Sequence, residues 1–155
     1  MISPVRWDGE RLMLLDQTLL PVQEIENACA SWQEVANAIR TLVVRGAPAI
    51  GVAAAFGVAL AARQSAAKEF DGLLADLEEA IKGLGATRPT AVNLFWALER
   101  MRRVALENRH LPVADLRRRL TDEARIVLDE DVAANRAMGA HGAALVPERG
   151  RILTH

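Results

Sequence analysis

Val43-Val44-Arg45-Gly46-Ala47-Pro48-Ala49-Ile50-Gly51, continued by an apolar run to Ala62, is the stretch on which the fold turns. It sets an arginine, a glycine and a proline side by side ahead of a helical pattern. Proline suits the first helical position, because that N–H would be unpaired in any case. From Ala49 to about Arg63 the residues are small and apolar, among them Ala53, Ala54, Ala55, Gly57 and Ala59. A helix that is apolar all round belongs in the interior. Its small side chains let neighbouring helices approach closely, so a large residue at Gly51 or Ala55 is expected to overpack the core. The start of this helix also carries chemistry. The N–H groups of Gly46, Ala47 and the first turn can point out towards an anion. Gly46 tolerates positive φ and lets the main chain come close to a ligand. Arg45 adds a planar cation that can grip a phosphate at two points. The same residues also read as a plain loop into a buried helix, with Arg45 solvated or salt-bridged.

Downstream, Thr87-Arg88-Pro89-Thr90-Ala91-Val92-Asn93 repeats the design of arginine, proline and helical pattern. Two such helix starts can converge on one phosphate. Upstream, Ser31 and Glu34 have the spacing of a capping box, and Val35, Ala38, Ile39 and Leu42 recur at helical spacing towards Arg45. Before that the chain is β-like. Val5-Arg6-Trp7 and Leu12 to Leu15 flank Asp8-Gly9, a hairpin signal, and Val22 to Ala28 offers a third short strand after Pro21. A small antiparallel sheet is expected, with Trp7 capping the core.

Phe70, Leu73, Leu74, Leu77, Ile81 and Leu84 trace one face of a further helix that Gly83 and Gly85 end; core packing explains it better than a partner-binding role. A helix is expected from Pro89, with Phe95, Trp96 and Met101 in the core and Asn93 either facing the site or bonded to a neighbouring backbone group. Leu111-Pro112 breaks the chain, and a long helix follows from about Val113 to Gly139, with Leu116, Leu120, Ile126, Val127 and Val132 as its apolar stripe. Arg100, Arg102, Arg103 and Arg117-Arg118-Arg119 suggest a nucleic-acid patch. Interleaved acids and the lack of an aromatic platform favour a solvated helix face instead. Asp129-Glu130-Asp131 is no metal site, because consecutive helical residues point apart. His110, His141 and His155 are too scattered for a ligand set. Arg151 to His155 reads as a strand.

At 155 residues, with 51% hydrophobic and 25% charged residues, the chain can bury one sizeable core. A net charge of −1 gives no global attraction to nucleic acid or acidic membranes. The lone Cys29 excludes an internal disulfide, which fits a cytoplasmic setting. No signal-type segment opens the chain, and the run from Ala47 to Ala62, interrupted by Pro48, Gly51 and Gly57, reads as a core helix and not a membrane span.

Val44 to Gly51 and Arg88-Pro89-Thr90-Ala91-Val92-Asn93-Leu94 closely resemble the N-terminal half of the methylthioribose-1-phosphate isomerases. Leu14 to Pro21 and the segment from His141-Gly142-Ala143 to Ile152-Leu153-Thr154-His155 fit the same pattern. The resemblance implies an α+β, mainly α-helical fold: a small antiparallel N-terminal sheet, a helical bundle over 1–144, and, over 145–155, the first strand of a Rossmann-like domain. It implies substrate contacts at Arg45, Gly46, Ala47 and Arg88, a sugar-phosphate substrate, no metal, no organic cofactor, and a homodimer for the full-length protein. It places the catalytic cysteine directly after His155 and the proton-handling aspartate further on, so that the 155 residues contain no catalytic residue and are expected to be inactive alone. The implied reaction interconverts 5-methylthioribose 1-phosphate and 5-methylthioribulose 1-phosphate. A ribose-1,5-bisphosphate isomerase relative, or a non-catalytic subunit related to the translation-initiation guanine-nucleotide exchange factor, are the alternatives.

Overall fold

The computed structural model describes residues 3–151 and 153. Strands β1 (Val5–Trp7), β2 (Leu12–Leu15) and β3 (Glu26–Cys29) are followed by helices α1 (Trp32–Arg40), α2 (Ala47–Gln64), α3 (Phe70–Gly85), α4 (Val92–Glu107) and α5 (Val113–Ala143). The fold is α+β and mainly helical, as expected. Its sheet has the order β1-β2-β3, antiparallel throughout, with Val5 opposite Leu14 and Leu12 opposite Cys29. The hairpin turn holds because the Asp8 carboxylate accepts from the Glu10 and Arg11 N–H groups at 2.8 and 2.7 Å, while Gly9 supplies φ +109°. Alternation then puts Val5, Leu12, Leu14 and Cys29 on the buried face. Trp7 closes that face by stacking on Phe56 of α2 at 5.0 Å between ring centroids.

The capping box forms as its spacing requires. Ser31 Oγ accepts from the Glu34 N–H at 3.2 Å, and the Glu34 carboxylate accepts from the Ser31 N–H at 3.1 Å. After α1, Leu42 adopts a left-handed φ of +65° and turns the chain towards Arg45. Helix α2 packs against α1, α3, α4 and α5. By length and apolarity its 18 residues pass for a membrane span, yet 72% of them are buried inside this fold. It is the core. Gly57 lets Leu84 and Val35 close in, since a Cβ there would lie 2.9 Å from a Leu84 methyl.

Several expectations need correction. Pro48 is the second, not the first, residue of α2. Helix α4 starts at Val92 and leaves Pro89 outside it. The Thr87 hydroxyl donates to the Leu84 carbonyl at 2.6 Å, and the Ala91 N–H donates to the Arg88 carbonyl at 3.0 Å. A turn with proline in its second position therefore replaces the first helical turn, and the residue before a proline resists the α region. Phe95 and Trp96 are not core: they are 45% and 52% exposed, because the buried stripe of α4 is Leu94, Ala97, Leu98, Met101, Val104 and Ala105. Ile126 and Val132 likewise fall off the stripe of α5 and are exposed. The solvated arginine face is only partly that. Arg100 and Arg117 are drawn inward, Arg117 donating to the Ser65 and Ala67 carbonyls at 2.8 and 2.7 Å. Of the strand expected over 151–155, Ile152, Thr154 and His155 lie outside the described residues, and Arg151 and Leu153 are in no strand.

These contacts lead to three expected outcomes. Burial, with the charge of Glu34 adding to it, pushes the Cys29 thiol up to about 11. Alkylation at pH 8 should be slow in the native protein and fast in denaturant, and rapid native labelling would contradict the packing. Gly51→Val should cost about 1–3 kcal/mol, read from denaturant unfolding, since a Cβ at Gly51 would meet the Asn93 carbonyl oxygen at 2.9 Å. Glu123 is 5% exposed and accepts from Arg100 Nε at 2.6 Å and Arg119 Nη2 at 2.8 Å. Burial raises its pKa, but the bonds from Arg100 and Arg119 outweigh this and hold it below the ordinary glutamate value. A depressed folded-state pKa stabilises above the unfolded value of about 4.3 and is lost as pH falls through the folded one. Glu123→Gln should therefore cost about 2–3 kcal/mol at pH 7 and flatten the loss of stability below about pH 4.3. Equal pH slopes for variant and native protein would contradict it.

Candidate ligand site at the starts of α2 and α4

The start of α2 is an uncapped, electropositive tip. Gly46 holds φ +93°, no side chain caps the helix and its first turn has no acidic residue. The first intrahelical bond runs from the Ile50 N–H to the Gly46 carbonyl at 2.9 Å. That leaves the Ala47 and Ala49 N–H groups without helical partners, Pro48 having none to offer. A Cβ on Gly46 would meet nothing within 4 Å, so the backbone is open to solvent and its conformation restricts the position to glycine. Arg45 is turned sideways: its Nη2 donates to the Gln17 carbonyl at 2.7 Å, and Gln17 Nε2 donates back to the Arg45 carbonyl at 3.4 Å. Asp16 stands nearby. Bonds from Thr18 first, then from Asn27, with the Arg45 charge adding, together outweigh the opposing effect of burial and hold its carboxyl below the usual range.

The start of α4 is built alike. Ala91 cannot cap, and no acidic residue occupies the first turn. Arg88 lies in the preceding turn, half-buried, and among the described residues its side chain has no hydrogen-bond or ion-pair partner. The two helix starts meet where Gly51 of α2 abuts the Asn93 carbonyl of α4. Both flank a cavity of about 500 Å³. Pro48, Gly51 and Val52 line it from α2, and Val92, Asn93 and Trp96 from α4. Helix α5 closes the third side with Val127, Glu130, Asp131, Ala134, Asn135 and Met138. Arg45, Gly46, Ala47 and Arg88 do not line this cavity. They stand on the segments leading into it, and the two guanidinium groups are not brought together inside it.

One arginine organises the cavity from behind. Arg100 forks onto both oxygens of Glu130, donates through Nε to Glu123, and lies over the Trp96 ring at 5.4 Å. Sequence reading flagged Asn93 but missed Trp96, Glu130 and Met138. The available signal was helical phase, since Val92 and Trp96 share a face that the buried stripe of α4 does not use. Nothing local could show that α5 passes opposite. Among the described residues no group of three or more His, Cys, Asp or Glu side chains is placed to hold a metal ion. Within Asp129-Glu130-Asp131, Asp129 faces a different depression, beside Arg6 and Trp7.

Comparison with known proteins gives this geometry a context. Residues 43–155 match the model of the initiation factor 2 subunit family. A methylthioribose-1-phosphate isomerase of Geobacter sp. (strain M21) is 50% identical over 97% of this chain and 44% of its own length. Another, of Syntrophotalea carbinolica, is 51% identical over 99% of this chain and 45% of its own. The chain thus spans a little under half the length of the curated relatives it matches. The crystal structure of 5-methylthioribose 1-phosphate isomerase from Pyrococcus horikoshii OT3 superposes with a TM-score of 0.91 at 42% identity, over 96% of this chain and 42% of that one. Translation initiation factor eIF-2B, subunit delta, from A. fulgidus does so with a TM-score of 0.86 at 41% identity, over 94% of this chain and 42% of that one. With the match covering most of its length, this chain belongs to the initiation factor 2 subunit family.

Proposed function

We propose that these residues form the substrate-contact part of an aldose–ketose isomerase that converts 5-methylthioribose 1-phosphate to 5-methylthioribulose 1-phosphate. Residues 1–144 make the helical contact domain, and 145–155 lead into a Rossmann-like one. The observation that carries the reading is the meeting of two uncapped, acid-free helix starts at Gly51 and Asn93. Half-identity to isomerases along nearly the whole chain supports the choice of substrate. A phosphate on the anomeric carbon blocks simple ring opening, so the protein has to hold that group firmly while hydrogen moves between adjacent carbons. Arg45, the N–H groups of Gly46 and Ala47, and Arg88 are its partners, with Arg45 leaving the Gln17 carbonyl to reach it. The cysteine and aspartate that the resemblance places beyond His155 perform the chemistry, so these residues bind and orient.

The second reading is a non-catalytic, ligand-sensing subunit, and the likeness to the eIF-2B delta subunit favours it among the alternatives. A fusion of this chain to the C-terminal part of the Geobacter isomerase separates the two. The fusion should turn over 5-methylthioribose 1-phosphate, whereas the 155-residue chain alone should not. In the fusion, Arg45→Ala and Arg88→Ala should each lower kcat/KM about tenfold to a hundredfold, the equivalent of losing one charge-assisted contact of roughly 1.5–3 kcal/mol. Unchanged kinetics in both variants would refute the phosphate assignment. A well-folded, inactive fusion that still binds the sugar phosphate would favour the sensing subunit.

A further inference from the structure

We infer that Asp16 and Gln17 are positioning residues for Arg45: their turn holds the guanidinium aside from the α2 start until an anion draws it across. The inference rests on the phosphate reading above and deepens it by naming what sets the starting position of Arg45.

A guanidinium beside the positive end of a helix is unfavourable, and α2 has neither a side-chain cap nor an acidic residue in its first turn to offset it. The missing partner comes from the sheet. Just after β2, the Gln17 N–H donates to the Val43 carbonyl at 3.0 Å. The Gln17 carbonyl accepts from Arg45 Nη2 at 2.7 Å, and Gln17 Nε2 donates to the Arg45 carbonyl at 3.4 Å. Three bonds thus tie Gln17 to both ends of the Val43-Val44-Arg45 segment that leads into α2.

Asp16 makes the turn that presents this carbonyl. Its Oδ1 accepts from the Thr18 N–H at 3.0 Å and from the Thr18 hydroxyl at 2.6 Å, the local bonding by which an aspartate shapes the backbone two residues on. Its Oδ2 accepts from Asn27 Nδ2 of β3 at 3.1 Å, and its N–H donates to the Ile25 carbonyl at 2.8 Å. The frame is therefore anchored in the sheet. Its charge also reaches Arg45: the bond from the Thr18 hydroxyl does most to lower the Asp16 carboxyl, and the Arg45 charge adds to it.

An incoming phosphate and the Asp16–Gln17 turn compete for one guanidinium. A binding-competent state that is only partly populated lowers the apparent affinity in proportion, so weakening the hold on Arg45 should tighten anion binding. A residue that merely supported the fold would give the opposite sign.

The test titrates 5-methylthioribose 1-phosphate into the 155-residue chain while NMR follows the Gly46 and Ala47 amides and the Arg45 Nε–H. In the native chain all three signals should move together. Asp16→Asn keeps an oxygen for Thr18 and removes the charge; it should tighten binding about twofold to fivefold, the scale of an exposed ion pair. Most of that gain should be missing when the same change is made in Arg45→Ala, completing a double-mutant cycle. Unchanged or weaker binding in Asp16→Asn, an equal gain with and without Arg45, or an Arg45 signal that stays put while Gly46 and Ala47 respond would overturn the inference and leave the phosphate reading standing. No response at Gly46 and Ala47 in the native chain would overturn the phosphate reading, and the inference with it.

Discussion

A helix with no polar side has to be enclosed, and that constraint organises everything else in this chain. Every residue of α2 from Ile50 to Ala62 is buried. No single partner can cover all sides of a cylinder, so α1, α3, α4 and α5 gather around it. The alanines and glycines of α2 set how near they come. Burial of so much apolar surface, at roughly 25 cal/mol per Å², fixes the position of α2, and with it the open tip at Gly46 and Ala47. A binding site at that tip inherits the rigidity of the whole core.

Much of this was legible locally. The Asp8-Gly9 turn, the Ser31/Glu34 box and the small-residue run each contain their own physical cause within a few residues. The start of α4 was not. Arg88-Pro89 looks like a second helix entrance, but the Thr87 bond to Leu84 and the Arg88-to-Ala91 turn satisfy the same backbone groups first. Helical phase decided Phe95 and Trp96, and hydrophobicity alone misassigned them to the core. The cavity itself was least legible, because its third wall comes from α5, and Arg100 of α4 joins Glu123 and Glu130 of α5 across a long sequence separation.

The same scaffold supports an isomerase and an initiation-factor subunit at nearly equal likeness. Fold therefore does not separate the two readings, and function has to be argued from the site. The tips of α2 and α4 suit an anion in either case.

Helix α5 carries a consequence of its own. Its last buried residue is Val127, and from Val132 to Ala143 every side chain is exposed. Among the described residues, the Arg100–Glu130 clasp is what ties this distal half to the body. Elements with few buried contacts open at low free-energy cost, so amide protons should exchange faster step by step beyond Glu130. Because Ala134, Asn135 and Met138 belong to this overhang, the wall and whatever fills the space beside it are thermodynamically linked: occupancy stiffens the helix, and stiffening the helix favours occupancy.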